Sequence, residues 1–221
     1  MNFILRLSEI GVKGSDNSEE IKKIVFVNKI AILFIIASLP FTLSILYIKN
    51  YFLASLTPIT LIGFFSTILF NGLFKFKIAK TSLFFTVLLA VYFFADVLGA
   101  AAGIQYVYFT LIMFGFAIFD RSERSLRYCL PALPIICFYS LHFTNYSLFN
   151  ITISPSSNLL PIYLTSTLLI FIISWLIVFF YDQSSIDNKQ NLKRILLSYH
   201  LTDREGDILL LLLNGKNNKK I

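Results

Sequence analysis

The sequence predicts an all-α polytopic membrane protein of six transmembrane helices with a short cytoplasmic helical tail. Three observations carry this expectation: the apolar excess, the lengths of the apolar runs and the placement of the positive residues. Of 221 residues, 57% are hydrophobic and 14% charged, and the mean hydropathy is +0.75. That is more apolar surface than one globular core can hide, so lipid is the expected solvent. The formal charge of +7 points toward nucleic acid only if the cations cluster, and here they lie between apolar runs. Cys129 and Cys137 share one apolar segment and form neither a disulfide framework nor a zinc spacing.

A helix needs about 20 apolar residues to cross about 30 Å of hydrocarbon. The leader, residues 1–23, is polar and mixed in charge, without the short apolar core and small-residue cleavage site of a secretory signal. Four apolar runs then read directly as spans: Ile30–Ile48, Phe52–Phe74, Tyr128–Phe143 with its flanks, and Leu159–Tyr181. Between them, Thr81–Phe119 carries a single charge, Asp96, and as one helix would reach about 60 Å at about 1.5 Å per residue. It is read as two spans reversing at Gly99-Ala-Ala-Ala-Gly103, where glycine tolerates turn geometry; the alternative is a close helix-packing surface. The six expected spans are 24–48, 52–74, 78–98, 101–119, 126–145 and 159–181, together a transmembrane region of 24–181. Pro131 and Pro134 are expected to kink the fifth.

Sorting the cations by loop gives an independent topology. Arg6, Lys13, Lys22, Lys23 and Lys29 precede span one; Lys75, Lys77 and Lys80 fall between spans two and three; Arg121, Arg124 and Arg127 between four and five; seven more follow span six. Only Lys49 falls on the other face, so 18 of 19 share one side. The positive-inside rule assigns that side to the cytoplasm, with both termini there, in a cell inner membrane. Trp175 and the tyrosines near span ends suit interfacial anchoring.

Among membrane residues, Asp96 is the most costly in hydrocarbon and is a candidate ligand, proton or ion site, unless water reaches it near the outer end of span three. His142, near the outer end of span five, is the second candidate and could share a cavity with Asp96; the alternative is a hydrogen-bonded structural histidine. No catalytic constellation, metal-ligand spacing or phosphate loop is present, so neither an enzyme nor a cofactor or metal is expected. A transporter would show two related halves with broken helices, and no repeat relates spans one to three to spans four to six.

After span six, residues 182–199 carry Leu192, Ile195, Leu196 and Tyr199 on one face of an amphipathic linker helix. That face would dock a partner or a twin chain as a homodimer; otherwise it is a solvated linker. In residues 200–221, Thr202 and Glu205 form a capping box ahead of an apolar run. Ile208, Leu209, Leu212 and Leu213 make the buried stripe of the helix. Gly215 closes it, and Asn217 or Asn218 caps a successor. Two helices joined by a glycine turn open a helix-turn-helix.

The segment Leu201–Ile221 resembles the opening of the LuxR-type helix-turn-helix DNA-binding domain, whose pattern runs L-T-x-R-E-x-E-V-L-x-L-L-A-x-G-x-S-N-K-E-I-A. Leu201, Thr202, Arg204, Glu205, Leu209, Leu211, Leu212, Gly215, Asn218, Lys219 and Ile221 match it outright. Asp207 and Ile208 are conservative replacements. Gly206, which weakens a helix by about 1 kcal/mol relative to alanine, Leu213 and Lys220 depart from it. The resemblance implies a scaffold of Leu201, Thr202, Glu205, Ile208, Leu209, Leu212, Gly215 and Ile221. It also implies phosphate contacts from Lys216, Lys219 and Lys220, which position a domain without reading sequence. The recognition helix of the family lies beyond this segment, so the expected output domain is incomplete: a fragment, a truncated gene product or a degenerate copy. DNA is then a partner only if the domain is completed beyond Ile221.

The membrane part is similar in layout to the six-span sensor regions that precede cytoplasmic output domains in bacterial signalling proteins such as membrane-bound cyclases and histidine kinases. A leader ending in Ile21-Lys-Lys-Ile-Val-Phe-Val-Asn28 is followed by short-looped spans and a linker helix. The expectation is a membrane-tethered transcriptional regulator in signal transduction, its partners membrane lipid and a signal ligand that the sequence does not identify. The alternative is a small transporter or orphan membrane protein with a vestigial tail.

Overall fold

A computed structural model describes residues 3–15, 18–47, 49–119, 123–149, 159–198 and 205. The chain divides into two units, Met1–Val178 and Phe179–Ile221. The described residues are predominantly helical, with no strand among them.

In the first unit, α1 (Phe3–Ser8) and a 3-10 turn at Val12–Gly14 precede α2 (Ser18–Tyr47). Lys49 at positive φ and Asn50, whose side chain accepts from the N–H of Leu53, start α3 (Tyr51–Gly72). Phe74, also at positive φ, reverses the chain into α4 (Phe76–Leu98). Two 3-10 turns, Ala100–Ala102 and Ile104–Tyr106, lead into α5 (Val107–Ile118), then α6 (Arg124–Cys129) and α7 (Ala132–Phe143). α8 (Leu160–Ser198) starts in this unit, and its residues from Phe179 onward belong to the second. Its backbone is helical through the segment read as a linker as far as Ser198; Tyr199 lies outside the described residues.

Five helical segments among the described residues are long and apolar enough to cross a membrane: Glu20–Tyr47, Tyr51–Gly72, Phe76–Leu98, Arg124–Phe143 and Leu160–Phe180. Their outward faces carry apolar rows such as Leu39, Leu43, Ile62, Leu168 and Phe171, all more than half exposed, a pattern that water penalises and lipid accepts. The fourth expected span differs. Residues 99–106 are consumed by two glycines in left-handed or extended positive-φ geometry and two 3-10 turns, leaving a regular helix of 12 residues, about 18 Å long. Its apolar stretch, Ile104–Ile118, falls short of the usual spanning length. α5 is largely buried, including Tyr108, Leu111, Phe114 and Ile118.

The fifth expected span is one apolar stretch interrupted at Leu130 and Pro131, between α6 and α7, where proline withholds an N–H from the helical ladder. α4 is the central helix, packed against α2, α3, α5 and α7. Over half of its spanning window is buried (56%), against 22–28% in the other four segments, so α4 faces protein while the others share their surface with the surroundings.

Candidate functional site

Asp96 lies in the last turn of α4, two residues from its end, and is almost fully buried, at 2% exposure. A carboxylate there opposes the negative end of the helix dipole, so it needs donors. The segment following α7 supplies them: the N–H of Leu148 donates to Oδ1 at 3.1 Å and that of Phe149 to Oδ2 at 3.0 Å. The Phe149 ring stacks on Phe93, one turn earlier on α4, at 5.0 Å. Tyr92 and Ser140 add a hydroxyl–hydroxyl contact of 2.9 Å between α4 and α7. Asp96 therefore fastens the end of α4 to the chain that leaves α7.

His142 is exposed on α7 and packs edge-on to Phe138 and Tyr146, with its Nε2 3.4 Å from the Tyr146 hydroxyl. Burial raises the Tyr146 phenol above its ordinary value. Asp96 and His142 have separate partners. The described residues hold no cluster of three metal-ligating side chains.

The glycine segment is a reversal. Gly99 and Gly103 have φ of 75° and 69°. A side chain at Gly103 would also meet the Tyr163 ring of α8 at 2.8 Å, and Ser166 of α8 donates to the Ala102 carbonyl at 3.1 Å. Glycine is thus required at position 103 both by φ and by close approach.

A second polar site, unanticipated from the sequence, ties the leader to the bundle. Asn28 of α2 is fully buried. Its Nδ2 donates to the carbonyls of Ser8 (3.1 Å) and Ile10 (2.9 Å), and its Oδ1 accepts from Asn71 Nδ2 of α3 at 2.7 Å. Gly11, at φ 89°, lies against the Asn71 backbone so closely that a Cβ there would fall 2.3 Å from the carbonyl oxygen. The available signal was an asparagine inside each of the first two expected spans, 24–48 and 52–74, since polar groups in such helices are expensive unless partnered. Nearby, Lys80 lies within the second turn of α4 rather than in a loop, buried and 3.0 Å from Glu123.

A cavity of about 90 Å³ lies among α2, α3, α4, α5 and α8. Its wall is apolar and includes Phe34, Phe41, Phe64 and Phe94.

Of the tail residues, Glu205 is helical and exposed. Leu201, Thr202, Ile208, Leu209, Leu212, Gly215, Lys216, Lys219, Lys220 and Ile221 lie outside the described residues. In comparisons with protein-family models, curated proteins and solved structures, nothing matches this chain.

Proposed function

We propose that this chain is a membrane-tethered transcriptional regulator of bacterial type. A bundle crossing the inner membrane six times, with both ends in the cytoplasm, acts as sensor or anchor for a LuxR-type DNA-binding output that opens at Leu201. The observation that carries the proposal is the tail: eleven outright matches in the 21 residues Leu201–Ile221, at the spacing that a capped helix, a glycine turn and a second capped helix require. Two further observations support it. Eighteen of nineteen cations fall on one side when six crossings are counted, and a five-crossing arrangement would put Leu201 on the side opposite the leader. α8 is helical from its apolar part to Ser198, next to the motif.

In this reading Ile104–Ile118 makes the fourth crossing, a short one within the protein interior, where a bilayer can thin or protein can shield the ends. A signal at the membrane would favour one packing of the helices over another, and α8 would transmit the difference.

Two experiments test the proposal. The coding sequence downstream of Ile221, in any frame, should encode a continuation resembling I-S-x-x-T-V-K-x-H; an unrelated continuation would overturn the DNA-binding reading. A reporter fused after Ser156 should be active only outside the cytoplasm. Activity inside the cytoplasm would overturn six crossings.

A further inference from the structure

The leader and the α2–α3 hairpin enclose a groove of about 1050 Å³, far roomier than the cavity of about 150 Å³ that admits benzene. Ile32 to Ile36 of α2 and Ile62 to Leu69 of α3 supply its walls, and Leu7 and Ile10 of the leader close one end. At that end Ile10 is pressed against α3, its methyl 3.1 Å from where a Cβ on Gly72 would stand. Ile36, Ile62 and Leu69 are each more than half exposed, so the groove opens sideways, toward whatever surrounds the bundle. The one polar side chain on the wall, Ser66, donates to the Gly63 carbonyl at 2.8 Å. The wall therefore asks for hydrocarbon.

We propose that this groove holds one acyl chain of an anionic glycerophospholipid whose phosphate meets Arg6 and Lys29. Depth selects a lipid chain over a second protein. Asn28 and Asn71 are bonded to each other and mark one level across the hairpin. From that level the groove rises eight residues along α2 to Ile36 and nine along α3 to Ile62, about 12 and about 14 Å at about 1.5 Å per residue. Half of a hydrocarbon layer of about 30 Å is about 15 Å, so the groove is as deep as one leaflet. A spanning helix from another copy needs the full thickness, and the leader blocks its continuation past Ile10. Charge selects the headgroup. Lys29 stands immediately before the apolar run Ile30–Ile48, where α2 passes from hydrocarbon to headgroups. It is exposed, as is Arg6 beside Leu7, and neither has an ion-pair partner among the described residues. The described part of the leader carries Arg6 and Lys13 against Glu9, an excess that suits an anionic headgroup. Because Leu7 and Ile10 belong to the wall, the lipid binds only a docked leader, and the docking that Asn28 secures through the Ser8 and Ile10 carbonyls is strengthened by the lipid in return.

The inference rests on the bundle lying in a bilayer and is independent of the reading of the tail. The full chain in detergent micelles is titrated with phosphatidylglycerol and, separately, with phosphatidylcholine of the same acyl chains, and bound lipid is counted by native mass spectrometry. Phosphatidylglycerol should fill one saturable site at a concentration at least about fivefold lower than phosphatidylcholine, the contribution of about one interfacial cation. It should also slow tryptic cleavage after Lys13. Leu69→Trp, at a position already 60% exposed, should keep the unfolding temperature of the parent and remove the saturable site for both lipids. Arg6→Gln combined with Lys29→Gln should keep the site and lose the preference. Adducts that accumulate without a saturable first site, equal affinity for the two lipids, a site that survives Leu69→Trp, or a preference that survives the double change would each overturn the proposal. Failure of the membrane reading would show differently, as a chain that stays monodisperse in water without detergent.

Discussion

Replacing Asp96 separates a structural carboxylate from a signalling one. Both carboxylate oxygens accept backbone N–H groups, from Leu148 and Phe149, at 3.1 and 3.0 Å in a site of 2% exposure. A hydrogen bond to a charged group contributes about 1.5–3 kcal/mol. In Asp96→Asn one amide oxygen can accept one N–H, while the amide NH₂ turns a donor toward the other. One charged bond is lost and one N–H is left unpaired, against a relief of about 0.5 kcal/mol from removing an anion at the C-terminal end of α4. The net destabilisation of the 144–149 segment is about 2 kcal/mol, and for Asp96→Ala, which loses both bonds, about 4 kcal/mol. At about 1.36 kcal/mol per tenfold, the asparagine variant should exchange the Leu148 and Phe149 amides about 30-fold faster. Amide exchange read by mass spectrometry on the chain in micelles measures this directly. Acceleration below about threefold, with unchanged thermal unfolding, would refute the role of Asp96 as the fastener of this segment.

Asn28→Ala strips Ser8 and Ile10 of their donor and Asn71 of its acceptor, and should destabilise leader docking by about 3 kcal/mol, seen as faster tryptic cleavage after Lys13. Gly11→Ala should act the same way through backbone strain and the clash with Asn71, whereas Gly72→Ala, whose Cβ would come no nearer than 3.1 Å to the Ile10 methyl, should be milder. Lys80→Met should lower stability by about 3 kcal/mol, and the double change with Glu123→Leu should recover at least about 1 kcal/mol of it in a thermal double-mutant cycle, as expected of a buried pair. Because burial raises the Tyr146 phenol, the folded chain keeps that proton to higher pH than the unfolded chain. Stability should therefore fall as pH rises above the unfolded value of about 10, and Tyr146→Phe should flatten that decline in melting curves.

Hydropathy located the apolar helices because lipid imposes a continuous length on each crossing, and a length is readable in one dimension. The reversal at Gly99–Gly103 was readable for a related reason: two glycines bracketing three alanines in a stretch too long for one helix leave few other places to turn. The interruption at Pro131 follows from a missing N–H. What stayed hidden depends on partners far along the chain. Asp96 is visible as an anomaly, but its partners are backbone N–H groups 52 and 53 residues on, which leave no trace in side-chain identity. Asn28 and Asn71 each look like an isolated polar residue until the α2–α3 hairpin brings them within 2.7 Å across 43 positions. Lys80 counts as a loop cation by its neighbours, yet α4 begins at Phe76 and draws it into the first turns.

The asparagine clamp also sets an order of events during synthesis. The leader leaves the ribosome first, but the side chain that completes its seat, Asn71, follows Asn28 by 43 residues. Gly11 packs against that same asparagine. The first residues of the chain therefore wait, undocked, until the second apolar helix has been delivered and paired with the first. Seating of the leader marks the completed insertion of that hairpin, and a lesion at Asn71 would show itself about 60 residues earlier in the sequence, around Gly11, as a leader that remains open to proteases.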